Sequence, residues 1–546
     1  MARPSADTDP GAAARPRSAA QRGGAEPTGW LTLPRFLLAS GVAIGLLAVA
    51  PALTDPDYWW HLRTGQILLR THRLITTAPY TFTALHHHWV LQEWLTEIWY
   101  AALNHTAGRA GIVVLFELAT AAMLAAVLLR ARLVHPVGSL ALALGAVLMM
   151  LAGAPVWGPR PQMETYVLLA VTLYLAERQL RLGGRAALGL PLVFLLWSNL
   201  EAGWVVGWAF LVVIVGVEAA RGWLGGREGP DPADIRRLAV GTGAATLALL
   251  VNPNGPSILL YPFQTQFDTV QQTLIQEWHS PDFSLVALWP LLLLLLSLPV
   301  LLLRYRRCGL RDACLLLLAT PLALQSVRQT AIFALVATPV WIVQVDAAAH
   351  QLGTWRGRRP GRTRRMPPPI RVMAALELLV IVLALATRVG AAATPAEGSS
   401  FYTTRFPVCA AAWLERAPGG LRLFDLYGDG GYLLDHVRQD RVYIFGDAAF
   451  MGNAYLLRFA RIADLAPGWL AALDRTRSQL VVYERGTPLD LALERVASWR
   501  LVYRDRRMDV FARAGLLPRL RLPPVPSPGG WRRAGLAGCI AQRPRR

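Results

Sequence analysis

The sequence contains no lysine, so arginine supplies all 55 basic side chains, and the formal net charge is +20. A basic chain can bind nucleic acid, but these arginines lie between apolar runs, a pattern that argues against that partner class. Charged residues make up only 16% of the chain and hydrophobic residues 54%. A soluble globular protein carries more charge, so the composition indicates a polytopic membrane protein.

Cysteine is almost as scarce, because the chain has four and no two of them form a C-x-x-C pair. A zinc ribbon or a thiol redox motif is therefore unsupported. Three catalytic signatures are also absent, namely G-x-S-x-G, H-E-x-x-H and a glycine-rich phosphate loop. Cys308 and Cys314 fall on the predicted cytoplasmic side, where thiols stay reduced. Cys409 and Cys539 fall on the outer side, and the sequence leaves their pairing open.

Long apolar runs are abundant. A helix of about 20 apolar residues crosses a membrane, and about eleven such runs predict a polytopic α-helical membrane domain over 31–390. The fifth, seventh and ninth runs are short for a full crossing. The runs lie near 36–53, 110–129, 138–154, 163–180, 187–198, 203–220, 238–251, 285–303, 312–325, 329–345 and 372–390.

The arginine clusters predict the orientation of these spans. If the N-terminus, predicted to be disordered over 1–30, is cytoplasmic, every dense cluster between spans falls in a cytoplasmic loop, including the last one at 356–365. This agrees with the positive-inside rule. The longest outer loop, 54–109, contains two predicted helices near 59–70 and 91–103, the first of them amphipathic. Outer loops carry acids, prolines and aromatics, so we expect the chemistry on that face.

Beyond about residue 391 the composition changes to short alternating strands and helices. The alternation predicts a small α/β domain over 391–515 with a mainly parallel sheet. An odd number of spans precedes this domain, which makes it exocytoplasmic. The proline- and arginine-rich segment 516–546 is predicted to be a disordered tail. Strands are predicted at 421–426, 441–445, 479–483, 499–504 and 508–513.

The first apolar run ends in the segment Thr54-Asp55-Pro56-Asp57-Tyr58-Trp59-Trp60-His61-Leu62-Arg63. Carboxylates at a membrane border are costly unless a wet site uses them. Asp55 and Asp57 could together hold a divalent cation, or one of them could act as a general base. The expected cation is Mg²⁺ or Mn²⁺, and no other cofactor is expected. Helix capping is the alternative for the two acids, and His61 is a base, a metal ligand or a polar interface residue.

Other residues of the outer face are candidate substrate ligands. Arg160 and Arg328 lie near helix ends, where a guanidinium can grip a phosphate, and snorkelling to lipid headgroups is the alternative. Glu93 and Glu97 are expected to form a solvated helix face, and an acidic face near the site is the alternative. The remaining candidates would stack on sugar, hold lipid or line the site. They are Tyr58, Trp59, Trp60, Arg63, Asn199, Glu201, Glu277 and His279, and a capped loop is the alternative for Glu277 and His279.

These features resemble the glycosyltransferase C superfamily of integral membrane enzymes. Segment 54–63 is similar to the Asp-Pro-aromatic-His/Asn-x-Arg strip of oligosaccharyltransferase catalytic subunits. Segment 425–432, with Arg441 and Asp447 downstream, faintly resembles their Trp-Trp-Asp-Tyr-Gly region, although the tryptophan pair is missing. The resemblance implies many membrane helices, a catalytic aspartate in a long first outer loop, often an outer C-terminal domain, and polyprenyl-phosphate sugars as donors.

On that resemblance we expect a membrane glycosyltransferase at the outer face of a bacterial cytoplasmic membrane. It would move a sugar from a polyprenyl-phosphate-type donor to a glycan, lipid or protein acceptor. Asp55 or Asp57 would activate the acceptor or bind a metal, and Arg160 or Arg328 would stabilise the departing phosphate. The expected partners are the lipid bilayer, the donor and the acceptor. The alternatives are a transporter or flippase of lipid-linked glycans and a non-catalytic envelope scaffold.

Overall fold

The computed structural model describes residues 32–49, 55–224, 229–355, 368–393, 399–536 and 538–539. The predictions made for 1–30, for Thr54 and for the arginine cluster at 356–365 lie outside these ranges. The described chain consists of a helical part that ends at Ala393 and a part containing a β-sheet that starts at Ser399.

Within the described ranges, a helix overlaps each of the eleven predicted spans, and three further α-helices lie between them. In chain order they are α1 Leu33–Val49, α2 Tyr58–Thr71, α3 Trp94–Val134, α4 Ser139–Ala152, α5 Gln162–Leu182, α6 Leu190–Leu200, α7 Trp204–Trp223, α8 Pro232–Ala248, α9 Ser257–Gln266, α10 Thr269–Leu274, α11 Trp289–Tyr305, α12 Leu310–Gln325, α13 Thr330–Trp355 and α14 Pro368–Ala393.

Within the described ranges, five segments are long and apolar enough to cross a membrane, by length and composition. Five such segments agree with the multi-pass membrane protein that the composition predicts, and the count of eleven crossings stays a prediction. Helix α13 runs through the centre of the bundle, where 331–337 is buried on all sides. The five segments are Trp94–Val134, Trp204–Trp223, Val286–Tyr305, Val327–Leu352 and Ile370–Ala391.

Helix α3 contains a break at Gly108, whose φ of 60° and ψ of −159° are not helical. Glycine adopts this conformation without the steric cost that a Cβ would bring. The break separates 94–107, which belongs to the first outer loop, from the apolar remainder of the helix. The sequence predicts the same division, with a helix near 91–103 and a span near 110–129.

A buried cluster of ion pairs joins the helices at the end of the bundle opposite that loop. Arg130 of α3 contacts Asp312 of α12 at 2.7 Å. Arg311 contacts Glu177 of α5 at 2.6 Å and Glu218 of α7 at 3.2 Å. Because each buried charge has an opposite charge beside it, the cluster joins four helices without leaving an unpaired ion.

The second part is an α/β domain around a five-stranded sheet. Its strands are β1 Arg422–Asp425, β2 Arg441–Val442, β3 Leu480–Glu484, β4 Trp499–Arg504 and β5 Met508–Arg513, in the order β2-β1-β3-β5-β4. Strand β1 pairs in parallel with β2 and β3, whereas β5 pairs antiparallel with β3 and β4. The expectation of a mainly parallel sheet is wrong, because the β4–β5 hairpin folds back beside β3. The helices are α15 Ser400–Arg405, α16 Val408–Leu414, α17 Gly430–His436, α18 Ala448–Met451, α19 Asn453–Ala463, α20 Trp469–Arg475, α21 Pro488–Leu493, α22 Leu517–Leu520 and α23 Pro528–Arg533.

The sheet domain docks directly on the first outer loop. Thr81 forms a parallel bridge with Val442 of β2, and the Val442 amide donates to the Tyr80 carbonyl at 3.1 Å. The Thr83 hydroxyl donates to the Tyr443 carbonyl at 2.6 Å. Helix α17 packs against α2. The outer loop therefore extends the edge of the sheet, and the two parts share one hydrophobic core.

The segment predicted to be a disordered tail, 516–546, contains helices α22 and α23 in its described residues. Its composition is rich in proline and arginine, but Trp531 is buried. The Trp413 indole donates to the Pro523 carbonyl at 3.1 Å. Cys539 forms a disulfide with Cys409 of α16. A few apolar anchors and one covalent bond thus hold a segment whose average composition predicts disorder.

Candidate functional site

A cavity of about 590 Å³ lies between the outer-loop end of the helical part and the sheet domain. The first outer loop, the start of α5, the segment after α10, the segment before α13 and two loops of the sheet domain all contribute to it. Its polar and aromatic lining includes Asp57, Trp60, His61, Trp89, Glu93, Arg160, Glu201, Tyr261, Glu277, Arg328, Tyr427 and Asp447.

The two aspartates of the first strip have different surroundings. The Asp57 amide donates to Asp55 Oδ1 at 2.9 Å, a local contact that shapes the turn before α2. Asp55 Oδ2 lies 3.2 Å from Arg160 Nε, so Asp55 is neutralised by a cation. Asp57 Oδ1 accepts a hydrogen bond from the Trp60 indole at 3.1 Å. Burial, together with the nearby charges of Asp55 and then Glu277, raises the pKa of Asp57 to about 7.

The two arginines also differ. Arg160 lies between carboxylates, with Nη1 2.5 Å from Glu277 Oε1 in addition to its contact with Asp55. Burial opposes the ionisation of Glu277, but the charges of Arg160 and Arg328 outweigh it and hold its pKa below the usual range. Arg328 is less engaged, because its nearest carboxylate, Glu201, is 4.0 Å away. The Arg328 guanidinium lies over the Trp278 ring, 5.4 Å from its centroid. Its nitrogens form no hydrogen bond to a residue that the structure describes, which leaves donors for a ligand.

Six of the sequence candidates do not line this cavity, and one of them, Asp55, contacts the lining residue Arg160. Tyr58 is buried against Trp59 and donates to Asn104 Oδ1 at 3.2 Å. Trp59 packs on Phe406 and Tyr432 of the sheet domain, which makes it a docking residue. The helical period explains both, since neighbouring residues of α2 point in different directions.

Arg63, Asn199 and His279 are the other three. Arg63 does not line the cavity and lies near the charges of Arg438 and Asp435. The Asn199 side chain accepts from the Trp94 indole at 3.0 Å and donates to the Val251 carbonyl at 2.9 Å, which is a structural role. The His279 ring contacts the Thr273 carbonyl at 2.9 Å on the exposed surface. The sequence cannot distinguish these positions from the cavity lining, because all of them lie close to lining residues along the chain.

The sequence expectation of a solvated face for Glu93 and Glu97 is wrong, because both glutamates are buried beside His61. His61 and Glu93 line the cavity, and Glu97 lies buried beside them. The side chain of Glu93 is 13% exposed and that of Glu97 is 0% exposed. Burial, followed by the charge of Arg160, lowers the pKa of His61 well below its usual value, so its imidazole is neutral. The α2 helix covers this face of α3, which periodicity alone does not reveal.

Several cavity residues are not among the sequence candidates, because they belong to the sheet domain or to the loop segment that contacts it. The Trp89 indole donates to Asp447 Oδ2 at 2.7 Å, and Asp447 Oδ1 accepts from the Phe450 amide at 2.9 Å. The Tyr427 hydroxyl donates to the Gly446 carbonyl at 2.8 Å. A Cβ on Gly446 would lie 1.7 Å from Asp57 Oδ1, so the backbone of the sheet domain closes over that carboxylate.

The Asp55–Asp57 pair does not fit a divalent cation. Arg160 already neutralises Asp55, and a cation between the aspartates would lie beside that guanidinium. The Trp60 indole also occupies Asp57 Oδ1. The expectation that the pair holds Mg²⁺ or Mn²⁺ is therefore not supported by its donor set.

No protein-family model and no curated protein sequence matches the chain. Solved structures do match. AglB, the oligosaccharyltransferase from Archaeoglobus fulgidus solved with an inhibitory peptide and a dolichol-phosphate, gives a TM-score of 0.54 at 11% identity, covering 82% of this chain and 69% of its own. An Archaeoglobus fulgidus oligosaccharyltransferase tethered to an acceptor peptide with an NVT sequon gives a TM-score of 0.53 at 12% identity, covering 88% of this chain and 73% of its own. The chain therefore shares the fold of these oligosaccharyltransferase structures. At this identity the likeness establishes the fold, and the activity has to be argued from the cavity.

Proposed function

We propose that the protein is a membrane glycosyltransferase that moves a sugar from a polyprenyl-phosphate-type donor to an acceptor at the outer face of a bacterial cytoplasmic membrane. The observation that carries the proposal is a single cavity in which Asp57, with a pKa of about 7, lies in the same chamber as Arg160 and Arg328. The dolichol-phosphate in the AglB structure supports a lipid phosphate as the donor class.

Asp57 is the proposed general base. A carboxyl group with a pKa near the working pH can accept a proton and still be ionised in a large fraction of molecules. The acceptor hydroxyl or amine would give its proton to Asp57 while its oxygen or nitrogen forms a bond to the sugar C1 atom. The C1–O bond to phosphate would break with inversion, and the polyprenyl phosphate would leave with the electron pair.

Arg328 is the proposed phosphate ligand, because its donors are the less engaged of the two guanidinium groups. A guanidinium stabilises the negative charge that develops on the departing phosphate. Arg160 is the proposed positioning residue, since it holds Asp55 and Glu277 together. Asp55 in turn accepts from the Asp57 amide, so this ion pair fixes the turn that carries the base.

Two observations support the outer face as the side of the cavity. The disulfide between Cys409 and Cys539 lies in the domain that lines the cavity, and disulfides persist in oxidising compartments. The free thiols, Cys308 and Cys314, lie next to the buried ion cluster at the other end of the helices. This distribution agrees with the positive-inside orientation that the arginine clusters predict.

The proposal is tested with the purified full chain in lipid nanodiscs and a radiolabelled polyprenyl-phosphate sugar. Mixed glycan, lipid and peptide acceptors are supplied, because the acceptor is not known. A glycosyltransferase releases polyprenyl phosphate and moves the label into a covalent product. In sealed vesicles, movement of intact donor across the bilayer without product would instead identify a transporter or flippase. Neither product nor movement would favour the envelope scaffold.

A further inference from the structure

A compact cluster that the proposed sugar transfer does not use lies at the cavity, and two of its three residues, His61 and Glu93, line the wall. His61 comes from the first turn of α2, while Glu93 immediately precedes α3 and Glu97 lies one turn further on. His61 Nδ1 is 3.3 Å from Glu93 Oε2 and 3.5 Å from Glu97 Oε1. One ligand atom from each residue lies within 4.8 Å of the others. We infer that these three side chains bind one divalent transition-metal ion.

The burial of unpartnered polar atoms points to a ligand. Glu97 is 0% exposed, and neither of its carboxylate oxygens has a hydrogen-bond partner within the described residues. His61 Nδ1 is likewise buried and has none. Among the described arginines, none forms a salt bridge with Glu93 or Glu97. A buried carboxylate without a donor or a counter-ion is strongly unfavourable, and a metal ion would supply the missing positive charge.

The spacing of the donors fits one ion. Zinc binds imidazole nitrogen and carboxylate oxygen at about 2.0–2.2 Å, which places neighbouring donors of one ion roughly 3–3.6 Å apart. The two distances from His61 Nδ1 fall in this interval. One imidazole and two carboxylates suit Zn²⁺, Mn²⁺ or Fe²⁺. The Gln92 amide donates to Glu93 Oε1 at 2.9 Å, and such a contact orients the other oxygen toward the ion.

The ion would tie α2 to α3 at the point where α2 carries the proposed base. The His61 ring lies against the Trp60 ring, with centroids 3.5 Å apart, and the Trp60 indole holds Asp57. The cluster is separate from the Asp55–Asp57 pair, whose first member is engaged by Arg160. Metal binding by the cluster does not depend on the proposed sugar transfer, so each can fail without the other.

The test uses the purified full chain in detergent micelles, stripped with a chelator and then titrated with Mn²⁺ or Zn²⁺. The wild-type protein is expected to bind one equivalent, measured by elemental analysis, with a rise in Tm that saturates at the same ratio. Glu97→Gln keeps the side-chain size and removes a ligand charge, so its affinity should fall by roughly 100-fold or more. Asp440→Asn, at a buried acid of the sheet domain outside the cavity, is the matched control and should bind as the wild type does. Asp55→Asn tests the rival site at the aspartates.

Three results would overturn the inference. A wild-type chain that binds no ion and shows no change in Tm would mean that protons neutralise the cluster. Loss of binding in Asp55→Asn with retention in Glu97→Gln would place the ion at the aspartates. For a readout that needs no variant, pulsed electron paramagnetic resonance of the Mn²⁺-loaded wild type should detect one coordinated nitrogen from His61. A Mn²⁺ spectrum without nitrogen coupling would contradict the site.

Discussion

Replacing Asp57 by asparagine is the perturbation that most sharply separates chemistry from folding. Asparagine keeps an oxygen that can accept the Trp60 indole hydrogen bond, so the turn before α2 should persist. The general base is lost, however. Such a base contributes roughly 10²- to 10⁴-fold to rate, which is about 3–5 kcal/mol of transition-state stabilisation. We therefore expect kcat/KM for polyprenyl phosphate release to fall by at least about 100-fold, with little change in donor affinity.

The pH profile gives the second readout. Because burial and neighbouring acids raise the pKa of Asp57 to about 7, the base is mostly protonated at pH 6 and mostly ionised at pH 8. The wild-type kcat/KM should therefore rise about tenfold per pH unit below 7 and level off above it. In Asp57→Asn, the rise of kcat/KM between pH 6 and pH 7 should be absent. Ionisation of a buried acid with a raised pKa costs stability as pH rises, so Asp57→Asn should not lower the Tm at pH 8.

Asp440→Asn is the matched control for this experiment. Asp440 is also a buried acid, and burial raises its pKa to about 6, but it lies in the sheet domain outside the cavity. Its Oδ1 accepts from the Leu421 amide at 2.8 Å, a contact that asparagine can keep. This variant should retain wild-type activity and its pH profile. The assignment of Asp57 as the base would be refuted if Asp57→Asn kept activity within threefold of wild type and kept the rise of kcat/KM near pH 7.

Three further predictions concern the cavity and the sheet domain. Gly446→Ala should lower transfer activity by at least about tenfold, because its Cβ would lie 1.7 Å from the Asp57 carboxylate. The control is Gly515→Ala, whose Cβ would have no neighbour within 4 Å and which should keep wild-type activity in the same assay. Equal activity of the two variants would contradict the close docking. Arg328→Ala should raise the KM for the donor and weaken lipid-phosphate binding by about 10-fold or more, because a charge-assisted hydrogen bond is worth about 1.5–3 kcal/mol. Unchanged lipid-phosphate affinity would mean that the phosphate binds elsewhere. Cys409→Ser should lower stability by about 2–5 kcal/mol in thermal or denaturant unfolding, because the disulfide with Cys539 closes a separation of 130 residues. A wild-type chain whose mobility on gels is identical with and without reductant would instead show that the thiols are free.

The sequence predicts the helical part well, because apolar runs and arginine clusters are strong one-dimensional signals. A helix overlaps every predicted span, and the outer-loop helix and the following span are distinguished on either side of Gly108. The hairpin of β4 and β5 was also predicted, but its insertion beside β3 was not. Strand order depends on packing between distant segments, which local patterns do not encode.

The sequence predicts which segments form the candidate site, but not which faces of their helices point into it. The strip from Asp55 to His61 points to the cavity, but helical rotation sends Trp59 to the sheet domain and Trp60 to the cavity. The burial of Glu97 depends on α2 lying across it. Gly446 has no chemical signature, because its role comes from the missing side chain. Such contacts arise only when two parts of the chain dock.

A structure of the protein with a bound polyprenyl phosphate, determined by electron cryomicroscopy in nanodiscs, tests the central claim most directly. The account predicts density for the phosphate in the 590 Å³ cavity, within hydrogen-bond distance of Arg328 and on the same side as Asp57, with the lipid chain leaving toward the helical part. Phosphate density at another surface, or a cavity that stays free of lipid at saturating concentration, would contradict it.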